Sequence, residues 1–225
     1  MDNICKLTSV KTSATRVRNR RGEGARLRDE IGAAAAALLE ETGSEDAVTL
    51  RAVARRVGIT APSIYAHFAD RNAILDAVVG QAFGELLAGV ERAAHRERDP
   101  FARLRAICAA YVAFADERPH RYRVLFARHR APGTVGMAEP KPVDELLGAE
   151  AFRALVDAVK ACVEAGYSTS EAPEHDATAL WVALHGYATL QASVPAFPWP
   201  NRDALLATLV NRLARIHKAA LGPGG

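Results

Sequence analysis

Cysteine and aromatic residues are scarce in this sequence of 225 residues, of which three are cysteine and 6% are aromatic. Cys5, Cys108 and Cys162 are widely spaced and form no C-x-x-C pair, which favours a reducing compartment and argues against a zinc or redox site. The side chains of Glu174-His175-Asp176 could bind a metal, but adjacent helical positions point in different directions, which argues against a shared metal ion. The fingerprints of serine hydrolases, zinc proteases, P-loops and dinucleotide-binding enzymes are also missing. We therefore expect a protein that is not an enzyme and that holds neither a metal nor a cofactor.

Long hydrophobic runs are absent as well. Charged residues interrupt the apolar stretches before they reach the roughly 18 residues that a membrane span needs. Residues 1–23 also lack the apolar block of a signal peptide. The sequence therefore predicts a soluble, cytoplasmic protein that does not associate with a membrane.

Positive charge is concentrated near the N-terminus. The chain has a formal net charge of +3, but residues 1–28 contain eight Lys and Arg against two Asp and Glu, which leaves the other residues with −3. Residues 1–23 show no helical periodicity and are predicted to form a flexible basic arm. Such an arm either contacts the phosphates of a nucleic acid or is a solvated tail that touches nothing, and the sequence leaves both open.

From residue 25 onwards, apolar residues recur at three- and four-residue spacing, which predicts an all-α fold of about nine helices without strands. Capping residues indicate where helices begin, and glycines indicate where they end. The predicted caps are Thr49, Thr60, Asp70, Asp99 and Asn201, and the predicted ends include Gly43 and Gly58. The last three helices are predicted at residues 143–166, 174–194 and 201–220, after a loop at 131–142, and a disordered tail is predicted at 222–225.

Two short helices separated by a turn that contains Gly58 form a helix-turn-helix pattern over residues 49–68. Ile64 and Phe68 fall on one side of the second helix and are predicted to pack on the first helix. The opposite side offers small and hydrogen-bonding groups, which suits entry into the major groove of DNA. A helical hairpin with a merely solvated face would show the same periodicity.

Residues 49–71 strongly resemble the DNA-binding segment of TetR-type (tetracycline-repressor-like) regulators. The matching elements are the T-x-R-x-V-A opening, Gly58 in the turn, the P-S-I-Y-x-H-F recognition helix and the D-R-x-x-I-L start of the following helix. The resemblance implies a DNA-binding domain at residues 24–87. It also implies a C-terminal effector-binding and dimerisation domain at residues 88–221.

Ten residues are implied by the resemblance to contact DNA: Thr49, Arg51, Thr60, Ala61, Pro62, Ser63, Tyr65, Ala66, His67 and Arg71. Ser63, Tyr65 and His67 can donate to phosphate oxygens, Arg71 is expected on the DNA backbone, and Arg51 is the best candidate for reading a base. Ala61 falls nearer the core face of the helical wheel. Members of the family bind near-palindromic double-stranded operators as homodimers, usually through the last two helices. The apolar stripe of the last helix, from Leu206 to Ile216, fits that role, and its alternative is core packing within one subunit.

The W-x-x-x-H-G pattern of Trp181, His185 and Gly186 resembles the C-terminal domain of one TetR subgroup. It implies a cavity for a small hydrophobic or aromatic effector, with these candidate lining residues: Tyr111, Phe114, Tyr122, Phe126, Trp181, His185 and Gln191. Alternatively the aromatic rings are core, and His185 binds a backbone carbonyl. The predicted function is a homodimeric repressor that an effector releases from its operator. An activator, a non-specific DNA-binding protein and a helical enzyme built around His185 are the alternatives.

Overall fold

The computed structural model describes residues 24–127, 146 and 148–217, and within these ranges the chain is all-α, as predicted. The described residues form nine α-helices: α1 (Gly24–Thr42), α2 (Leu50–Val57), α3 (Ala61–Ile64), α4 (Arg71–Arg96), α5 (Pro100–Glu117), α6 (Pro119–Ala127), α7 (Ala149–Glu164), α8 (Pro173–Ser193) and α9 (Arg202–Leu213). A short 3-10 turn, Glu45–Ala47, lies between α1 and α2. The predicted basic arm, the loop at 131–142 and the tail at 222–225 lie outside the described residues.

Helices α1 to α3 pack with the beginning of α4 into one unit. Thr49 caps α2 as predicted, since its hydroxyl accepts a hydrogen bond from the backbone N of Ala52 at 3.1 Å. Gly58 ends α2 with a φ of +77°, a left-handed conformation that glycine adopts at little cost. The shared core of this unit is formed by the buried side chains Ile31, Leu39, Val53, Ile64, Phe68 and Ile74.

Thr60 occupies the N-cap position of α3, but the prediction that its side chain caps the helix is wrong. A cap would accept from the second or third backbone N–H of the helix. The second residue is Pro62, which has no N–H, and the N–H of Ser63 is bonded to the carbonyl of Thr60 at 2.9 Å. The Thr60 hydroxyl instead lies 2.8 Å from the hydroxyl of Ser63.

The long helix α4 connects the two halves of the molecule. It begins at the predicted cap, where the Asp70 carboxylate accepts from the backbone N of Ala73 at 2.8 Å. Along its length α4 packs against α1, α5, α6 and α7. By length and composition alone this helix could cross a membrane. Its apolar residues, however, include a buried series that runs from Ile74 to Val90, as in the central helix of a globular protein.

Two of the three C-terminal helices differ from their predicted bounds. α7 begins at Ala149 rather than residue 143, directly after Gly148, whose φ of +87° lies outside the helical region. α8 matches its prediction within one residue. α9 ends at Leu213 because the chain turns at Arg215, which has a φ of +50°. Ile216 therefore leaves the helical stripe and forms an isolated β-bridge with Ser168.

Candidate DNA-binding surface and ligand cavity

The two short helices expose most of the side chains predicted to touch DNA. We call the exposed set the reading surface; it consists of Thr49, Arg51, Thr60, Pro62, Ser63, Tyr65 and Ala66. The Tyr65 side chain, at 60% exposure, is the most exposed large hydrophobic group of the described residues. The exposed Arg51 side chain makes no hydrogen bond or ion pair to any described residue, so its guanidinium is available to a partner. Ala61 and His67 are half-buried, and Ala61 packs against the core as its wheel position predicted.

The underside of α3 is fixed to the rest of the unit. Ile64 and Phe68 are buried, as predicted. Arg28 of α1 lies over Phe68, with its Cζ atom 4.3 Å from the centre of the ring. The same guanidinium donates a hydrogen bond from Nη1 to the carbonyl oxygen of His67. Sequence reasoning missed Arg28, because its two contacts lie about 40 residues away along the chain and leave no local pattern.

The partly exposed Arg71 side chain bonds to other groups of the same unit. Its Nε donates to the carbonyl of Val48 at 3.0 Å, and its Nη2 contacts the carbonyl of Glu45 and the carboxylate of Asp46. These bonds tie the start of α4 to the loop that precedes α2. Arg71 thus helps to orient α2, and its contact with the DNA backbone stays a prediction.

A polar contact zone joins this unit to the C-terminal helices through α6. Arg121, whose side chain is only 12% exposed, pairs with Glu85 of α4 at 2.8 Å and with Glu40 of α1 at 3.7 Å. Arg123 donates to the carbonyl of Gly43, the residue that ends α1. A Cβ atom on Gly43 would lie 2.8 Å from the His120 ring, so glycine is needed for this close approach. A movement of α6 would therefore displace the end of α1.

A cavity of about 270 Å³ lies among α4, α5, α6, α7 and α8. Three of the predicted ligand residues line it: Tyr111, Phe126 and Trp181. Its lining is mostly apolar and also includes Phe83, Leu86, Val90, Ile107, Phe152, Leu155 and Leu184. Phe83 and Phe152 were missed because an apolar helix face predicts burial without distinguishing a cavity wall from the core.

Tyr122 and His185 stand behind the cavity wall in a hydrogen-bonded chain. The Tyr111 hydroxyl lies 2.9 Å from the Tyr122 hydroxyl, which lies 2.8 Å from Nδ1 of His185. His185 is therefore satisfied by a tyrosine rather than by a backbone carbonyl. Phe114 and Gln191, the other two predicted ligand residues, are not part of the cavity lining. Phe114 is buried core, and Gln191 is half-buried further along α8.

Burial determines whether the hydrogen-bonded side chains of Tyr111, Tyr122 and His185 carry a charge. It raises the pKa of Tyr111 to about 12 and raises that of Tyr122 as well. Burial also lowers the pKa of His185, because the charged imidazolium would lose hydration. All three groups are accordingly neutral near pH 7.

The acidic residues near the start of α8 are occupied in separate ion pairs. Glu174 pairs with Lys160 at 2.7 Å, and Asp176 pairs with Arg215 at 2.9 Å. No group of three or more His, Cys, Asp or Glu side chains suited to a metal occurs among the described residues.

A second exposed apolar surface lies on α8 and the turn after it. Val182, Leu190 and Val194 recur at multiples of four residues, and Phe197 follows them; all four are exposed. We call these four residues the α8 stripe. By contrast, Leu206 and Val210 of α9 are buried within the subunit. The predicted apolar stripe of the last helix is thus largely used for core packing, and the free apolar surface belongs to α8.

Comparison with known proteins agrees with this architecture. Residues 31–78 match the family model of bacterial regulatory proteins of the tetR family, and residues 104–213 match the tetracyclin repressor-like C-terminal domain. A protein of unknown function from Rhodococcus sp. RHA1 has a similar structure, with 29% identity and a TM-score of 0.69 over 84% of this chain and 94% of that one. SmeT, the repressor of the SmeDEF multidrug efflux pump of Stenotrophomonas maltophilia, shares the fold with 21% identity and a TM-score of 0.60, over 88% of this chain and 94% of its own.

Among curated relatives, the nucleoid occlusion factor SlmA of Vibrio cholerae is 26% identical over 98 residues, which are 44% of this chain. The chain spans about half the length of the curated relatives it matches. The two family models, taken together, cover more than half of the 225 residues and both halves of the fold. The chain therefore belongs to the TetR family of bacterial regulatory proteins.

Proposed function

We propose that this chain is a homodimeric, sequence-specific DNA-binding repressor that a small apolar effector releases from a near-palindromic operator. The observation that carries the proposal is the reading surface, which is exposed and is held rigidly from beneath by Arg28, Ile64 and Phe68. Exposed groups such as Arg51 and Tyr65 add nothing to the core of the subunit. As a regulator of the chromosome, the protein would act in the bacterial cytoplasm.

Within the reading surface, Arg51 would read a base and Ser63 and Tyr65 would bind phosphates. Arg51 has the planar fork of donors that matches guanine in the major groove. The hydroxyl groups of Ser63 and Tyr65 can donate to phosphate oxygens, which positions the protein without specifying sequence. His67 adds a half-buried donor at the edge. Arg71 would act indirectly, by orienting α2.

Dimerisation would join two reading surfaces through α8 and α9. A single short helix reads few base pairs, so useful specificity needs two half-sites. The α8 stripe supplies exposed apolar side chains for such an interface, and its burial in a dimer would remove them from water. Two-fold symmetry of the dimer requires two-fold symmetry of the operator.

Release by an effector is supported by the path from the cavity to the reading unit. Phe126 of α6 lines the cavity. On the same helix, Arg121 pairs with α1 and α4, and Arg123 donates to Gly43 at the end of α1. An effector that prefers a different position of α6 would shift the reading unit with it. The pattern of Trp181, His185 and Gly186 supports membership of the W-x-x-x-H-G subgroup.

The proposal is tested by gel shift with the intergenic DNA beside the protein's own gene. Arg51→Ala and Tyr65→Ala should each weaken binding at least tenfold. Arg92→Ala is the matched control, because Arg92 is exposed on α4 about 30 Å along the helix axis from Arg71. Unchanged binding by both reading-surface variants would disprove the assignment, and equal binding to competitor DNA of any sequence would indicate a non-specific DNA-binding protein.

A further inference from the structure

We propose that the effector of this cavity is an uncharged, largely apolar molecule that carries a single hydrogen-bonding group, such as a hydroxyl. This inference rests on the proposed function in so far as the cavity is the effector site, and it names the chemical class that the site selects.

The part of the cavity wall that the structure describes offers no partner for a charge. Among the described residues, none of its lining side chains is Asp, Glu, Lys, Arg or His. The polar side chains in the lining are those of Cys108, Tyr111, Thr178 and Trp181, and all four are neutral. Burial raises the pKa of the Cys108 thiol to about 12, so no thiolate supplies a charge either. A charged ligand would lose its hydration on entry without gaining a counter-ion.

Among these polar side chains, the Tyr111 hydroxyl belongs to a hydrogen-bonded chain whose direction can reverse. This hydroxyl is linked through Tyr122 to Nδ1 of His185, and Trp181 is a further hydrogen-bonding neighbour of it. Each hydroxyl has one hydrogen to donate and two lone pairs to accept with. When Tyr111 donates to Tyr122, its oxygen can accept from the ligand; when the hydrogens run the other way, Tyr111 donates to the ligand. A ligand hydroxyl fits both arrangements, since it donates and accepts.

Size and access further limit the ligand. A volume of about 270 Å³ lies just below the range usual for ligand sites, which favours a small molecule. Leu146 and Trp181 line the cavity and are also exposed, which places its opening between the start of α7 and the side of α8. Trp181 therefore lies beside this opening.

Trp181 makes direct detection of binding possible. The chain has two tryptophans, and the other, Trp199, packs against Tyr187 and Phe197 away from the cavity lining. The Trp199→Phe protein leaves Trp181 as the single reporter, so its fluorescence can be titrated without DNA. Four probes of equal chain length separate the alternatives at pH 7.5: octane, octan-1-ol, octanoate and octylammonium.

The inference predicts that octan-1-ol binds more tightly than octanoate and octylammonium by about 100-fold or more, and more tightly than octane. Tyr111→Phe should remove about fivefold of the preference for octan-1-ol over octane and leave octane binding unchanged. Thr178→Lys, at an exposed position of the cavity rim, should raise octanoate binding relative to octan-1-ol by about tenfold. This second variant keeps the inference testable if Tyr111→Phe fails to fold.

Binding of octanoate or octylammonium as tight as that of octan-1-ol would overturn the inference, as would the failure of all four probes to change Trp181 fluorescence. Neither result bears on DNA binding, which the gel shift measures independently. Conversely, selective binding of octan-1-ol without any effect on a protein–DNA complex would uphold the ligand class and contradict effector-controlled release.

Discussion

The guanidinium of Arg28 covers the ring of Phe68, with 4.3 Å between its Cζ atom and the ring centre. Arg28 belongs to α1, and Phe68 follows the short helix α3 that carries most of the reading surface. Through this contact and its hydrogen bond to the His67 carbonyl, α1 holds the end of a segment whose helix is only four residues long. A helix of that length is not stable by itself, so its orientation depends on such neighbours.

Arg28→Lys is expected to weaken operator binding about three- to tenfold although the positive charge is kept. Lysine lacks the planar group that stacks on Phe68 and donates to His67 at the same time. Binding is measured by fluorescence anisotropy at fixed salt. Arg26→Lys is the control, since Arg26 is exposed, pairs with Glu30 and lies in the same turns of α1. Equal affinities for the two variants would contradict the positioning role of Arg28.

Tyr122→Phe is expected to lower the free energy of unfolding by about 1–3 kcal/mol, because the partners of its hydroxyl would be left buried without a hydrogen bond. Those partners are the Tyr111 hydroxyl and Nδ1 of His185. The measurement is urea denaturation followed by circular dichroism. Tyr65→Phe removes a hydroxyl from an exposed ring and should leave stability unchanged. A Tyr122→Phe protein as stable as the wild type would show that the hydrogen bonds of the Tyr122 hydroxyl contribute nothing to the stability of the fold.

The lowered pKa of His185 predicts a loss of stability in mild acid. The unfolded chain takes up a proton near pH 6.5, whereas the folded protein resists it. This contribution is therefore complete above the unfolded pKa of about 6.5 and is lost as the pH falls from there through the lower pKa of the folded protein. His185→Asn keeps an acceptor for Tyr122 and should reduce the difference in unfolding free energy between pH 7.5 and 5.5. His175→Asn, at an exposed site, should leave the difference as it is.

Leu190→Glu is expected to convert the dimer into a monomer, because it places a charge in the middle of the α8 stripe. Analytical ultracentrifugation gives the mass directly, and operator affinity should fall with it. Glu171→Gln changes one exposed charge outside the stripe and serves as the control. If the Leu190→Glu protein sedimented as a dimer, the interface would lie elsewhere on the molecule.

The helix caps and the α2–α3 turn could be predicted from the sequence because they depend on a few adjacent residues. Thr49 and Asp70 cap helices because the side-chain oxygen of each accepts from a backbone N–H in the first helical turn. Gly58 adopts its positive φ readily because it has no Cβ atom. The prediction that the Thr60 side chain caps α3 is wrong because Pro62, two residues later, lacks a backbone N–H that a cap could bind.

Contacts between distant segments could not be predicted in this way. Arg71 binds carbonyls more than twenty residues before it, and no pattern in the sequence distinguishes that role from contact with DNA. Helical periodicity likewise predicts that Phe83 and Phe114 face the interior of the protein. Only the packing of five helices makes Phe83 part of the cavity wall and Phe114 part of the core.

Selection from a random 30-base-pair duplex library tests the central claim most directly, because every candidate operator sequence competes for the protein at once. The purified protein should enrich one inverted repeat whose half-sites are centred about one helical turn apart. The Arg51→Ala protein should lose preference at one position in each half-site. Enrichment of no sequence, or of a sequence without two-fold symmetry, would contradict the assignment of residues 49–68 as the DNA-reading part of a homodimer.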